Sequence, residues 1–254
     1  MDPTIKVAKK FLDVKFEHAT GYKRAPNVST YAAKFYEGRY VMGQIAGKMT
    51  KSGAIGYIVS FPIPRSSPAS TPSSAAWRPP IPTPRARSTG STPGSIRARR
   101  RTPPRRSSPR APTSSTQHTD SAAPLQEAEK AGVLGFGQSS DMARFAANTD
   151  NWALYYTQRI QAVIDGTWKS EDTWDGIGKG MVVLAPFANM PDDVKAMAEK
   201  TTADIGSGAL QIFACPVLDQ DGRDRCKPGD KTLPDGDILS MNWYIRGIDD
   251  KVPQ

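Results

Sequence analysis

The strongest constraint on the fold is the alternation of apolar runs with helical patterns, clearest over 116–142 (TQHTDSAAPLQEAEKAGVLGFGQSSDM). A polar strand end leads there into a helix, a second strand and a second polar strand end. Pro124 suits a first helical turn, where its missing N–H is not needed. Leu125 and Ala128 share a helix face at i,i+3, and Gly132 can close the helix in the left-handed conformation. The run 133–137 is short and apolar, as a buried parallel strand is. Ligands of open α/β sheets bind just past the carboxyl ends of strands. That rule marks 117–120, with His118 and Asp120, and 138–141, with Gln138 and Asp141, as neighbouring parts of one candidate site. Ordinary solvated loops have the same composition and are the alternative at this point.

The upstream part repeats the order. The residues predict a strand at 14–18. A long helix follows, capped by Asn27 or Ser29, whose apolar face is Ala32, Phe35, Tyr36, Met42, Ile45, Ala46 and Met49. A buried strand is then expected at 54–61. This β-α-β order argues for a parallel sheet. Gly38 and Gly43 each cost about 1 kcal/mol relative to Ala inside a helix, so they imply close packing on a neighbour. Downstream, a helix is expected over 154–164 with Leu154, Ile160, Val163 and Ile164 inward, and a buried strand over 181–184. A helix opened by Pro191 runs through Asp204 with Val194, Met197, Ala198, Thr201 and Ile205 on one face. The tail predicts a hairpin turning near 221–222 and a last strand within 238–252, where Trp243 and Tyr244 pack. Cys215 and Cys226 fall nearly opposite across that hairpin. A bridge there is worth roughly 3 kcal/mol in the chain-entropy model and favours an oxidising compartment; two free thiols are the alternative.

Residues 65–115 break every pattern. They hold eleven arginines, eleven prolines and no acid or lysine. Proline forbids regular helix and central strand, and so little apolar area does not offset the entropy of ordering. The expectation is a disordered segment, unusual inside an α/β unit. It also accounts for the basicity of the chain: without its arginines the formal charge falls from +9 to −2. A basic linker that binds nucleic acid through phosphate contacts is one alternative function. A doubly wound enzyme is another, but GFGQSSD lacks the third glycine of a dinucleotide fingerprint, and the two histidines and two cysteines have no metal-ligand spacing. No cofactor or metal is expected. No run of apolar residues is long enough to span a membrane, and MDPTIKVAKKF lacks the apolar core of a signal peptide.

The segments HATGYKRAPNVSTYAAKFYEGRYVMGQIAGKM, GAIGYIVSFPIP, TQHTDSAAPLQEAEKAGVLGFGQSSDMARF, DGTWKSEDTWDG, MVVLAP, NMPDDV and DGDILSMNWY together resemble the basic-membrane-protein family of ABC transporter substrate-binding proteins, a group that contains purine nucleoside receptors. The resemblance implies an α/β fold of type I periplasmic-binding-protein-like lobes with parallel sheets. The first lobe here is incomplete, and the middle carries the disordered insert. It divides the chain into 1–64, a remnant of the first lobe and the start of the second; 65–115; and 116–254, the second lobe with a C-terminal hinge and hairpin region. FAANTDNW is shorter than the family pattern by what resembles a buried strand.

The genetic code offers a reason for the mismatch in the middle. With suitable synonymous codons, 65–73 read one base earlier spells EVVPGINAF. Residues 88–99 give VDWVNTWFDPGK, followed by EADAAKALIAQGADVI. These peptides resemble what the family carries between its SFPIP-like and TQHTD-like segments, so 65–115 reads as a frame-shifted translation bounded by two compensating changes.

The resemblance further implies a purine nucleoside or purine base bound between the lobes, with no bond made or broken. It implies ABC permease subunits at the inner membrane as partners, no nucleic acid, and a periplasmic or membrane-anchored lipoprotein setting. Asp150 matches the family acid that faces ribose hydroxyls, and Gly137 a glycine where backbone meets ligand. Trp152 can stack on a base or pack internally. The tryptophan of the out-of-frame NTWFDP peptide is absent, so ligand binding by this chain is expected to be impaired.

Overall fold

The computed structural model describes residues 1–59, 85–90, 114–118, 122–139 and 145–247. Two sheets organise them. In the first, β1 (Phe16–Ala19), β2 (Val28–Ala33) and β8 (Asp172–Asp175) lie side by side in the order β1-β2-β8, all parallel. In the second, the order is β4-β3-β5-β6-β7-β9, built from β3 (Ala54–Val59), β4 (Arg85–Gly90), β5 (Ser114–His118), β6 (Leu134–Gln138), β7 (Ala146–Asp150) and β9 (Val182–Leu184). Every neighbour pair in it is parallel except β7 with β9.

Helix α1 (Asp2–Ala8) precedes β1, and α2 (Phe35–Met49) joins the two sheets. Helix α3 (Ala123–Lys130) lies on the second sheet, where Gly135 faces it: a Cβ there would stand 3.2 Å from Leu125 and 3.5 Å from Ala128. This is the face expected from the spacing of those two residues. Helix α4 (Trp152–Ile164) belongs with the first sheet, and α5 (Asp192–Ser207) packs beside α2. A short α6 (Asp235–Leu239) comes late in the chain.

The main core lies between the second sheet and the α2–α5 layer. Val41, Met42, Ile45 and Ala46 of α2 meet Ile55, Phe136 and Ala146 of the strands and Val194, Ala198 and Ile205 of α5. Met42, Ile45, Ala46, Val194, Ala198 and Ile205 are among the positions that the helical period marks as inward, whereas Val41 and Ala146 join the core without that signal. Gly208 ends α5 with φ +79°, a conformation glycine adopts without steric cost.

Several expectations are corrected. Residues 28–33 form a strand and not the start of a helix. Their β-branched and aromatic side chains are buried between β1 and β8, so the apolar spacing that suggests one long helix spans two elements. Asn27 caps no helix after it; its Nδ2 donates to the carbonyls of Ala8, Phe11 and Val14 at 2.9–3.0 Å. On α4 the inward face is Tyr155 and Arg159, whereas Leu154, Ile160, Val163 and Ile164 are exposed. The strand at 182–184 is an antiparallel edge strand, with Val183 43% exposed. Residues 146–150 form β7, paired with β6 on one side and β9 on the other.

Within 65–115, the proline-free RARSTG forms β4, at the sheet edge, and β5 begins at Ser114; residues 65–84 and 91–113 lie outside the described residues. Residues 116–254 serve both sheets, because β8 pairs with β2.

The tail is held by short bridges, Leu218 with Asp224 and Asp219 with Ile245, and by the Cys215–Cys226 disulfide, whose Cα atoms are 6.0 Å apart. Instead of a strand, 238–247 continues from α6, opened by Pro234 with Asp235 and Asp237 in its first turn. Trp243 packs against the apolar cluster of the tail, and Tyr244 is buried.

Candidate functional site

The chain passes between the sheets three times, at Lys34, at Asn151 and at Gly176. The passages are tied together. The N–H of Lys34 donates to the carbonyl of Asp175 at 2.8 Å, and that of Asn151 to Met181 at 2.9 Å. Glu37, in the first turn of α2, accepts the Ile177 N–H at 2.6 Å. Its carboxylate lies against Gly176, where a Cβ would be 2.1 Å from Oε2. Burial raises the Glu37 carboxyl above the usual carboxylate range, opposed by that backbone donor and by Lys34. Lys34 pairs with Asp235 at 2.9 Å, and its ammonium lies 5.0 Å from the Trp174 ring centre.

Beside these passages, the carboxyl ends of β6 and β7 and the first turns of α2 enclose a polar cluster. Phe136, Gln138, Ala146, Asn148 and Asp150 alternate along their strands onto one face, the face that carries α2. The inner positions are apolar and the outer ones polar. Arg39 of α2 is fully buried; its Nε and Nη2 donate to Oε1 of Gln138 at 3.2 and 2.5 Å, and its guanidinium stands 5.7 Å from the Phe35 ring centre. Asn148 is also fully buried, and its amide oxygen and nitrogen make no hydrogen bond among the described residues. Leaving such a group unsatisfied costs about 1–3 kcal/mol, the kind of local penalty that collects at functional sites.

Asp150 closes β7 directly before the passage at Asn151. Its carboxyl is pushed up to about 6, first by burial, against the Ser139 hydroxyl and the positive charge of Arg39. The Ser139 Oγ donates to Oδ2 at 3.4 Å, while Oδ1 is buried without a hydrogen bond among the described residues. Across the passage, Trp152 meets Tyr31 edge-on at 5.4 Å and Phe35 at 6.4 Å. Tyr31 stacks on Tyr155 at 4.5 Å. A carboxylate, an amide and a ring cluster thus flank the segments that join the two sheets. This arrangement can hold a small ligand with hydroxyl donors and an apolar face. Among the described residues no group of three or more metal-ligating side chains occurs, and no helix is long and apolar enough to cross a membrane.

Gln138, Gly137 and Asp150 thus lie together, with Gly137 buried and paired in register with Ala147. Trp152 lies just over the passage. His118 ends β5, in register with Val59, and Asp120 and Asp141 lie outside the described residues. Sequence reasoning missed Arg39 and Asn148. The available signal was Gly38, which sits next to Arg39 and against Asn148.

The profile described as Bmp, ABC transporter substrate-binding protein PnrA-like, matches residues 1–71. A Brucella abortus protein described as purine-binding is 46% identical over 260 residues, covering 100% of this chain and 74% of its own. A Haloferax volcanii chain described as an ABC transporter glucose-binding protein is 27% identical, covering 99% of this chain and 63% of its own. Among solved structures, an ABC transporter solute-binding protein from Conexibacter woesei superposes with a TM-score of 0.56 at 19% identity, over 83% of this chain and 75% of its own. A protein from Bacillus halodurans described as a transcriptional activator of comK gives 0.59 at 13%, over 81% of this chain and 74% of its own. At such identities the two structures share the fold alone, and a fold does not carry a function with it. The long match at 46% identity goes further: this chain belongs to the PnrA-like (Bmp) family of ABC transporter substrate-binding proteins.

Proposed function

We propose that this chain is the receptor of an ABC transporter for a purine nucleoside or a related purine, held between two lobes that close on it. The observation that carries this reading is the half-buried carboxyl of Asp150, with its Oδ1 out of contact with solvent, beside the passage between the sheets. The purine-binding description of the 46% identical relative supports the ligand class. In this reading the ionised Asp150 accepts hydrogen bonds from ribose hydroxyls, and Gly137 lets the ligand approach backbone. Gln138, Asp141, His118 and Asp120 supply the polar rim. Trp152 offers a ring face, and stacking is worth about 1–3 kcal/mol per base in nucleic-acid proteins.

Ligand touches both lobes only when they close, so binding shifts an open–closed equilibrium by its differential affinity. No bond is made or broken, and no cofactor takes part. The closed receptor engages permease subunits at the inner membrane from a periplasmic or membrane-anchored position. In the same reading 1–64 is a remnant of the first lobe and the start of the second, 116–254 carries the second lobe with the C-terminal hinge and hairpin region, and 65–115 is translated out of frame. That last assignment removes a tryptophan from the binding surface, so this chain binds more weakly than its in-frame counterpart.

The test is calorimetry with adenosine, guanosine and adenine on the 254-residue protein and on a frame-restored version. The expected result is weak binding by the first and much tighter binding by the second. Micromolar binding by the 254-residue chain overturns the impairment, and no purine binding by the restored chain overturns the ligand class.

A further inference from the structure

We propose that Gln138 reads the ligand through its amide nitrogen, and that buried Arg39 is the positioning residue that fixes the amide in this sense. The inference deepens the purine nucleoside reading and rests on it.

A glutamine amide has an acceptor end and a donor end, and a flip exchanges them. Here the choice is forced. Arg39 donates from both Nε and Nη2 to the Gln138 oxygen, at 3.2 and 2.5 Å. A guanidinium has only donors and does not deprotonate in proteins. The flipped amide would set its own N–H groups against those donors inside a buried contact. The nitrogen therefore faces away from Arg39, and among the described residues no hydrogen bond uses it.

Arg39 has little freedom to release the amide. It is fully buried, borders the Phe35 ring, and stands on α2 next to Gly38, which is pressed against Asn148. Gln138 ends β6 and is in register with Asn148, two residues before Asp150. The strand ends thus offer complementary groups: a donor amide on β6 and an acceptor carboxylate on β7. The ligand edge that fits presents an acceptor atom beside hydroxyl donors, as the sugar of a nucleoside does.

The test uses the full chain and three variants, Gln138→Glu, Arg39→Lys and the double substitution. Binding of guanosine is read by NMR titration, and the Gln138 side-chain amide is identified by its loss in Gln138→Glu. The carboxylate in that variant keeps an acceptor for Arg39 and removes both donors. Its thermal midpoint should therefore equal or exceed the parent's while nucleoside affinity falls about tenfold. Arg39→Lys should weaken binding in the parent and add nothing in the Gln138→Glu background, because it acts through the amide. The Gln138 amide protons should exchange rapidly with water in the free protein and shift on binding.

Undiminished affinity in Gln138→Glu, or additive losses in the double variant, overturns the inference and leaves the purine reading standing. If the parent binds no nucleoside, the purine reading fails, and the amide exchange alone decides the orientation. Fast exchange then supports the outward nitrogen, and slow exchange overturns it.

Discussion

Gly38 of α2 lies so close to Asn148 of β7 that a Cβ on it would stand 2.2 Å from Oδ1 and 2.7 Å from Cγ. Replacing this glycine by alanine gains about 1 kcal/mol of helix propensity. It also forces apart a helix and a strand whose contact is fully buried at Asn148, and overpacking of that kind costs about 1–3 kcal/mol. Gly38→Ala should therefore lower the urea midpoint, with the clash outweighing the propensity. A midpoint above the parent's would show that α2 can move off the sheet.

The Asp150 carboxyl makes stability depend on pH. Because it is raised from 3.8 to about 6, the folded protein holds a proton in that window that the unfolded chain has released. Its contribution to stability is present below the unfolded value and is lost as pH rises through about 6. Asp150→Asn should stabilise the ligand-free protein near neutral pH by about 1 kcal/mol, a figure discounted for partial exposure. It should also flatten the stability profile between these two values. Ligand affinity should run the other way: ribose hydroxyls donate to the ionised form, so binding weakens as pH falls below about 6. Denaturant melts and titrations across this range check both signs.

Arg159 secures α4 to the first sheet. It is buried, pairs with Glu17 at 2.6 Å and with Glu171, and donates to the Ser29 hydroxyl and the Lys169 carbonyl at 2.8 and 2.7 Å. Its guanidinium also lies 5.1 Å from the Trp168 ring centre, and Trp168 donates to Glu17. Removing one member of a buried pair strands the other. Arg159→Met should cost about 3 kcal/mol, read as a shift of the urea midpoint.

The disulfide between Cys215 and Cys226 closes a short loop, with a sequence separation of 11. Replacing both cysteines by alanine should lower stability by roughly 3 kcal/mol, and reductant should then have no further effect on the thermal midpoint. Equal midpoints for the oxidised parent and the double variant would show that the tail is held by Asp219 and its partners alone. Those partners are the Arg225 guanidinium at 2.7 Å and the N–H groups of Asp221 and Arg223 at 2.9 Å.

What the sequence revealed follows from which elements have a single buried face. Strand β6 and helix α5 bury one continuous apolar set each, so period alone locates them. Strand β2 was hidden because its apolar residues run into those of α2 with compatible spacing. On α4 an arginine holds the inward position while leucine and isoleucine face out, the reverse of what polarity suggests. The same inversion hid half of the candidate site. The family resemblance implied Asp150, and strand-end geometry singled out Gln138. Arg39 and Asn148 are polar residues that no period or motif marks, and the fold alone shows them buried.

The most direct measurement is a nucleoside titration of the 254-residue protein alongside Asp150→Asn at near-neutral pH, carried to millimolar guanosine. The account predicts weak, saturable binding by the parent that is lost in the variant while the variant stays folded. Equal binding by the two proteins would contradict it.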